Sequence, residues 1–286
     1  MHTPFRRPLR ALTLRAALAS CALAQVASIA PLVSLVTPYT LSAQTTTFDH
    51  SAFDALLKAH VVDGMVDYGA FKNSAAFSGY LAALKKQDPA ALPRAEQLAF
   101  WINAYNAYTI QLINKHSETK SIRNINKTLG LKLKGPWGEP LAGVGGKAYT
   151  LDDIEHVIIR PTYKEPRIHF ALVCAAMGCP PLRSEAFTGA RLEAQLEDQG
   201  ARFITKSPTK NRVDVASNTF YHSMIFGYYK ADFGGSLPAS GKFAAKWLTA
   251  GSPERALLEG GKFKAVETEY DWSLNSQANA RRMAPK

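Results

Sequence analysis

Cysteine is scarce in this sequence: 286 residues contain three, at positions 21, 174 and 179. That excludes a disulfide-dense scaffold and a multi-cysteine metal site. The sequence also has no HExxH, no paired CxxC, no GxSxG and no glycine-rich phosphate loop. Metalloprotease, zinc-ribbon, nucleophile-elbow and P-loop chemistry therefore have no support, and neither a metal nor a cofactor is expected. No basic tract interleaved with aromatics occurs, which argues against a nucleic-acid partner. Internal repeats are missing, as is any linker rich enough to divide the chain.

Acidic residues are also missing from positions 1–43, where Arg6, Arg7, Arg10 and Arg15 are the only charges. An uncharged stretch follows and ends Leu41-Ser42-Ala43. A basic start, an apolar stretch and a small residue at the end is the layout of a secretory signal. Pro31 and Pro38 interrupt the stretch, so a stable membrane span is the weaker reading. The types around Cys21 suit a lipoprotein signal, but five residues between Arg15 and Cys21 are too few for a signal core of about seven. The sequence thus predicts a periplasmic or secreted protein with a globular domain over 44–286. Without the four arginines, 30 Lys and Arg remain against 23 Asp and Glu. That surplus favours an anionic ligand or surface, or a peptide-like one, in the cell envelope.

Apolar spacing predicts helices near 53–61, 77–84, 95–115, 150–159, 189–205, 222–229 and 242–248. Short strands are expected near 66–69, 131–133, 148–150, 212–215 and 263–270, and a buried strand over 167–174. Helices and strands alternate without a βαβ rhythm, so the fold class is α+β. Its expected form is a central apolar helix, 95–115, packed on a mainly antiparallel sheet.

Candidate site residues are polar groups in apolar settings. Glu155 falls on the apolar face set by Leu151, Ile154 and Ile158, whereas His156 points away. Asn106 lies on the arc between Ile102, Ile110 and Ile113, with Asn103 at its edge. On a strand 167–174, His169 and Cys174 occupy opposite faces roughly 16 Å apart, which prevents a direct Cys–His pair. Cys174 precedes and Cys179 lies within a loop, 175–183, that carries Gly178, Pro180, Pro181 and Arg183. A bridge across so small a ring contributes only about 2 kcal/mol by chain entropy, so its larger effect would be to shape the loop. Whether the two sulfurs are bridged or one is a nucleophile stays open. Asn106, Glu155, His169 and Arg183 are expected to converge.

Three motifs carry a resemblance: Phe100-Trp101-Ile102-Asn103-Ala104-Tyr105-Asn106-Ala107, then Thr150-Leu151-Asp152-Asp153-Ile154-Glu155-His156, then the run from His169 through Cys174 and Cys179-Pro180-Pro181 to Arg183. Over about 92–233 the chain resembles the family called domain of unknown function 547. The resemblance implies an exported or membrane-associated bacterial domain, also found fused in plant proteins, with no assigned activity. At the level of fold alone the order of elements is similar to papain-like and transglutaminase-like proteins, but Asn103 or Asn106 stands where their nucleophile would be.

Two function classes follow. The preferred one is an active-site-like pocket of a hydrolase or acyl transferase using His169, oriented by Glu155 or Asp271, with Cys174 or Cys179 nearby. The other is a non-catalytic envelope binding module with a structural Cys174–Cys179 disulfide. The export reading makes its own prediction: protein recovered from its native host begins near Gln44 by N-terminal sequencing. Soluble cytoplasmic protein that keeps Met1 would overturn it.

Overall fold

The computed structural model describes residues 47–128, 131–132 and 135–283. The expected signal segment, 1–43, and Cys21 lie outside the described residues. The chain opens with α1 (Ser51–His60), a hairpin of β1 (Val61–Val62) and β2 (Met65–Val66), α2 (Tyr68–Lys72), α3 (Ala75–Lys86) and the long α4 (Arg94–Lys115). Two further hairpins follow, β3 (Lys127–Thr128) with β4 (Leu131–Lys132), and β5 (Ala142–Val144) with β6 (Lys147–Tyr149). The second half holds α5 (Arg160–Tyr163), α6 (Leu192–Thr205), β7 (Arg212–Asp214), β8 (Thr219–His222), α7 (Met224–Tyr228), α8 (Leu237–Ala245), α9 (Pro253–Gly260), β9 (Lys264–Glu267) and α10 (Gln277–Met283). The fold is α+β. Its strand pairs are antiparallel except β8 with β9, which run parallel.

α4 is the centre. Ala99, Phe100, Ile102, Ala104 and Ala107 are wholly buried, so it is apolar on nearly every side. A helix of that kind must be covered all round. The cover includes α2, the turn Gly189–Arg191, the segment 153–159, α3, α6 and β5. No large sheet does this; the sheets among the described residues are hairpins and one three-stranded sheet.

Two expectations about local structure need correction. The run 167–174 is not a strand: Pro166–Phe170 is a 3-10 helix, with Glu165 Oε1 accepting the Arg167 N–H at 3.0 Å. Every side chain from Ile168 to Val173 is buried, and a run buried on all sides has no periodicity to separate strand from helix. Pro166 at the first position and the Glu165 cap favour the helical turn. The separation of His169 from Cys174 argued from strand geometry falls with it. The helix after Thr150 starts as expected, in a reciprocal capping box with Asp153 (2.9 Å both ways). It does not stop at Pro161, however. Asp153–Ile159 is a π-helix, whose wider turn carries the chain past Pro161 into α5.

Segment 170–189 is buried but mostly irregular, and side-chain amides satisfy its backbone. Asn106 donates to Ala171 O at 2.9 Å and accepts from Val173 N at 3.0 Å. Asn103 does the same with Phe187 O and N, at 2.7 and 2.9 Å. From α6, Gln195 donates to Ala186 O and accepts from Thr188 N. Gln199 donates to both Phe170 O and Pro181 O. Asn106→Leu strands two buried backbone groups, each costing about 1–3 kcal/mol. We predict a loss of roughly 2–4 kcal/mol in urea unfolding; a change below about 0.5 kcal/mol would mean Asn106 is not a brace.

Candidate functional site

His169 is 2% exposed and each ring nitrogen faces a carboxylate. Nε2 lies 2.7 Å from Asp232 Oδ2, and Nδ1 lies 3.6 Å from Glu155 Oε1. The second distance is that of an ion pair rather than a hydrogen bond. Asp232 shares a hydrogen bond with the ring, whereas His169 Nδ1 and Glu155 Oε1 face each other with no hydrogen-bond partner among the described residues. The Tyr229 ring covers one face of the imidazole, with centroids 3.7 Å apart and planes 18° apart. Arg160 completes the group, donating to Asp232 from Nε at 2.7 Å and Nη2 at 3.1 Å.

The local sequence positions these groups. The π-helix turns Glu155 inward among Ile154 and Ile159. The 3-10 turn presents His169. The turn after α7 brings Tyr229 and Asp232, four and one residues before buried Phe233. Burial pushes the Glu155 pKa up, but the His169 charge, with help from the Tyr229 hydroxyl and His156, holds it below the usual range. Burial likewise works against ionised Asp232, and Arg160 and His169 outweigh it. Burial first, and then the Glu155 charge, push the Tyr105 and Tyr229 hydroxyls up, so they stay protonated beside the carboxylate.

The cysteines form a disulfide, with Cα atoms 6.3 Å apart. Cys179 is buried and Cys174 partly exposed. The Tyr270 hydroxyl touches both sulfurs at 3.2 Å. Beyond the bridge, residues 175–178 lie along 271–275, with Met177 N donating to Ser273 O and Gly178 N to Asp271 O, both at 2.8 Å. Cys179, Pro180 and Pro181 then form one wall of a cavity of about 420 Å³. Its other walls are the β1–β2 turn, with Gly64 at φ +81° against Pro181, and the end of α6 with the turn after it. Arg202, Lys206 and Lys210 line it. Lys210 Nζ donates to Cys179 O, and burial lowers its pKa to about 8 against the opposing pull of Asp271.

Of the expected site residues, His169 and Glu155 do meet, and Asn106 braces the chain beside them. Arg183 does not join them: it is buried against Glu185 (Nε to Oε1, 2.7 Å) and Asp198. Asn103 holds Phe187 and reaches neither group. Asp271 does not orient His169; its backbone carbonyl serves Gly178 and its carboxylate serves Ser273 N. Asp232 takes that place. Nothing periodic marked Asp232, which lies in a turn where an acid needs no partner. The Gln195 and Gln199 braces were findable, since they share the spacing of Leu192, Leu196 and Phe203 on one face of α6.

Residues 89–204 match the family model described as protein of unknown function, DUF547. The chain resembles DUF547. The DUF547 segment holds α4, Glu155, His169, the disulfide and α6, but not Tyr229 or Asp232. No curated protein matches the chain, and no solved structure does. Among the described residues no helix is long and apolar enough to cross a membrane, and no group of His, Cys, Asp and Glu is arranged to hold a metal.

The charge cluster sets a pH dependence. Both Glu155 and Asp232 are depressed in the folded state. Their contribution is complete above the unfolded values of about 4.3 and 3.9 and is lost as pH falls through the folded ones. Stability should therefore drop steeply below about pH 4, and Glu155→Gln should show a shallower acid slope in chemical unfolding from pH 7 to 3. Identical slopes for variant and wild type would remove Glu155 from this account.

Proposed function

We propose that the mature domain is an exported binding module of the cell envelope, periplasmic or secreted, whose ligand cavity is walled by the disulfide loop. The observation that carries this reading is the cavity of about 420 Å³ beside Cys179-Pro180-Pro181. Its size suits a small ligand, and the bridge, the Tyr270 contacts and the pairing with 271–275 hold its wall in place. The other features agree. Sulfurs joined to each other offer no thiolate nucleophile. His169 lies under Tyr229 with its polar atoms directed at carboxylates, which is how a buried charge is stabilised.

A His-dependent hydrolase or acyl transferase is the second reading. It draws support from the 2.7 Å contact of Asp232 with His169 and from a smaller cavity, about 260 Å³, lined by Arg160 and Asp232. An Asp–His pair next to a cleft is the arrangement of a general base.

Turnover separates the two. Purified mature protein and His169→Gln are assayed against p-nitrophenyl acetate and a peptidyl amide. The binding module predicts equal, background rates. A rate at least tenfold above background that disappears in His169→Gln would replace this reading with the second.

A further inference from the structure

We infer that the cavity beside the disulfide loop takes a small organic phosphate, held by Lys206 and Lys210 with its organic part on Met65, Met177 and Leu182. This rests on the binding-module reading above and names its ligand class. Three cations line the cavity against one carboxylate, Asp63. Arg202 is already committed, its Nε 2.8 Å from Asp198 Oδ2. Neither lysine forms an ion pair among the described residues, and Asp271 acts on Lys210 only through its field. Lys206 has no ion pair or side-chain hydrogen bond among the described residues. Lys210 has a single hydrogen bond, to the Cys179 carbonyl, so two of its three ammonium protons remain available.

Two ammonium groups in one cavity, one without an ion pair and the other only within the field of Asp271, fit a compact dianion better than a neutral or singly charged group. Lysine binds phosphate as a point charge and does not need the planar fork that a carboxylate shares with arginine. Burial of Lys210, which lowers its pKa to about 8, strengthens the attraction at that end of the cavity, whereas Lys206 is exposed. Ser184 adds a hydroxyl to the polar side, while the Ser207 hydroxyl donates to Arg202 O at 3.3 Å. The cavity exceeds a bare phosphate in volume, and Met65, Met177 and Leu182 supply an apolar side for a short organic group. A soluble phosphomonoester and a phosphatidate headgroup share this chemistry.

Methyl NMR of ¹³C-methionine-labelled mature protein tests the assignment, because Met65 and Met177 line the cavity and Met224 does not. The probes are glycerol 3-phosphate, phosphatidylcholine vesicles with and without phosphatidic acid, and a neutral disaccharide. We expect saturable shifts of Met65 and Met177, with Met224 unmoved, on adding glycerol 3-phosphate or phosphatidic acid vesicles; which of these acts identifies the source. Lys210→Gln and the more exposed Lys206→Gln should each weaken binding at least fivefold. Lys206→Gln keeps the test valid if the partly buried site tolerates no change. Unchanged affinity in both variants, or no response to either phosphate probe, overturns the assignment. A response to the disaccharide alone would discard the phosphate and keep the binding module, whereas His169-dependent turnover would discard the module itself.

Discussion

The structure depends on amide side chains replacing the backbone partners that an irregular buried segment lacks. Residues 170–189 run through the interior with little regular structure, so their N–H and C=O groups cannot be satisfied by a ladder or by solvent. Asn103 and Asn106 from α4, and Gln195 and Gln199 from α6, face this segment from two helices. Each amide carries both a donor and an acceptor, and three of the four use both on the segment's backbone. Glu96 adds a carboxylate at the far end, accepting the Gly189 N–H at 2.6 Å. A Cβ at Gly189 would press into Glu96, so this close approach requires glycine. α4 is therefore more than a hydrophobic axle; its polar positions hold the chain that carries His169 and both cysteines.

Along that segment two centres have separate characters. At its start, His169 is enclosed by Glu155, Asp232, Arg160 and Tyr229, with Asp232 bonded to both His169 and Arg160 and Glu155 3.6 Å from His169 Nδ1. Buried ions in such a group are costly to separate because removing one leaves the others uncompensated. The cluster joins the π-helix and the 3-10 turn, near each other in sequence, to the turn after α7, which lies 63 residues beyond His169. A few residues further on, the disulfide and Tyr270 fix a proline loop whose outer side borders open space. One centre consumes its charges internally, and the other leaves cations facing a cavity.

The family motifs map onto this division. The motif on α4 supplies the amide braces, the motif after Thr150 supplies Glu155, and the third supplies His169 and the bridged loop. Tyr229 and Asp232 complete the charge cluster from outside the matched segment. The match therefore covers the scaffold of both centres and part of the residues that finish them.

The sequence by itself determined the helices with a polar face, the central position of α4, the capping box at Thr150, and the inward turn of Glu155 and Asn106. These follow from periodicity and capping chemistry, which act over a few residues. It also singled out His169 and the cysteine pair by their apolar surroundings. Tertiary structure alone decided the rest. A run buried on every side, 167–174, has no periodicity, so Pro166 and the packing around it chose a helical turn. Asp232 gained its role only because a turn 63 residues away in the chain arrives at His169. Arg183 went to Glu185 and Asp198 because those acids lay nearer. Partner choice among charges depends on distance in space, and spacing along the chain does not encode that distance.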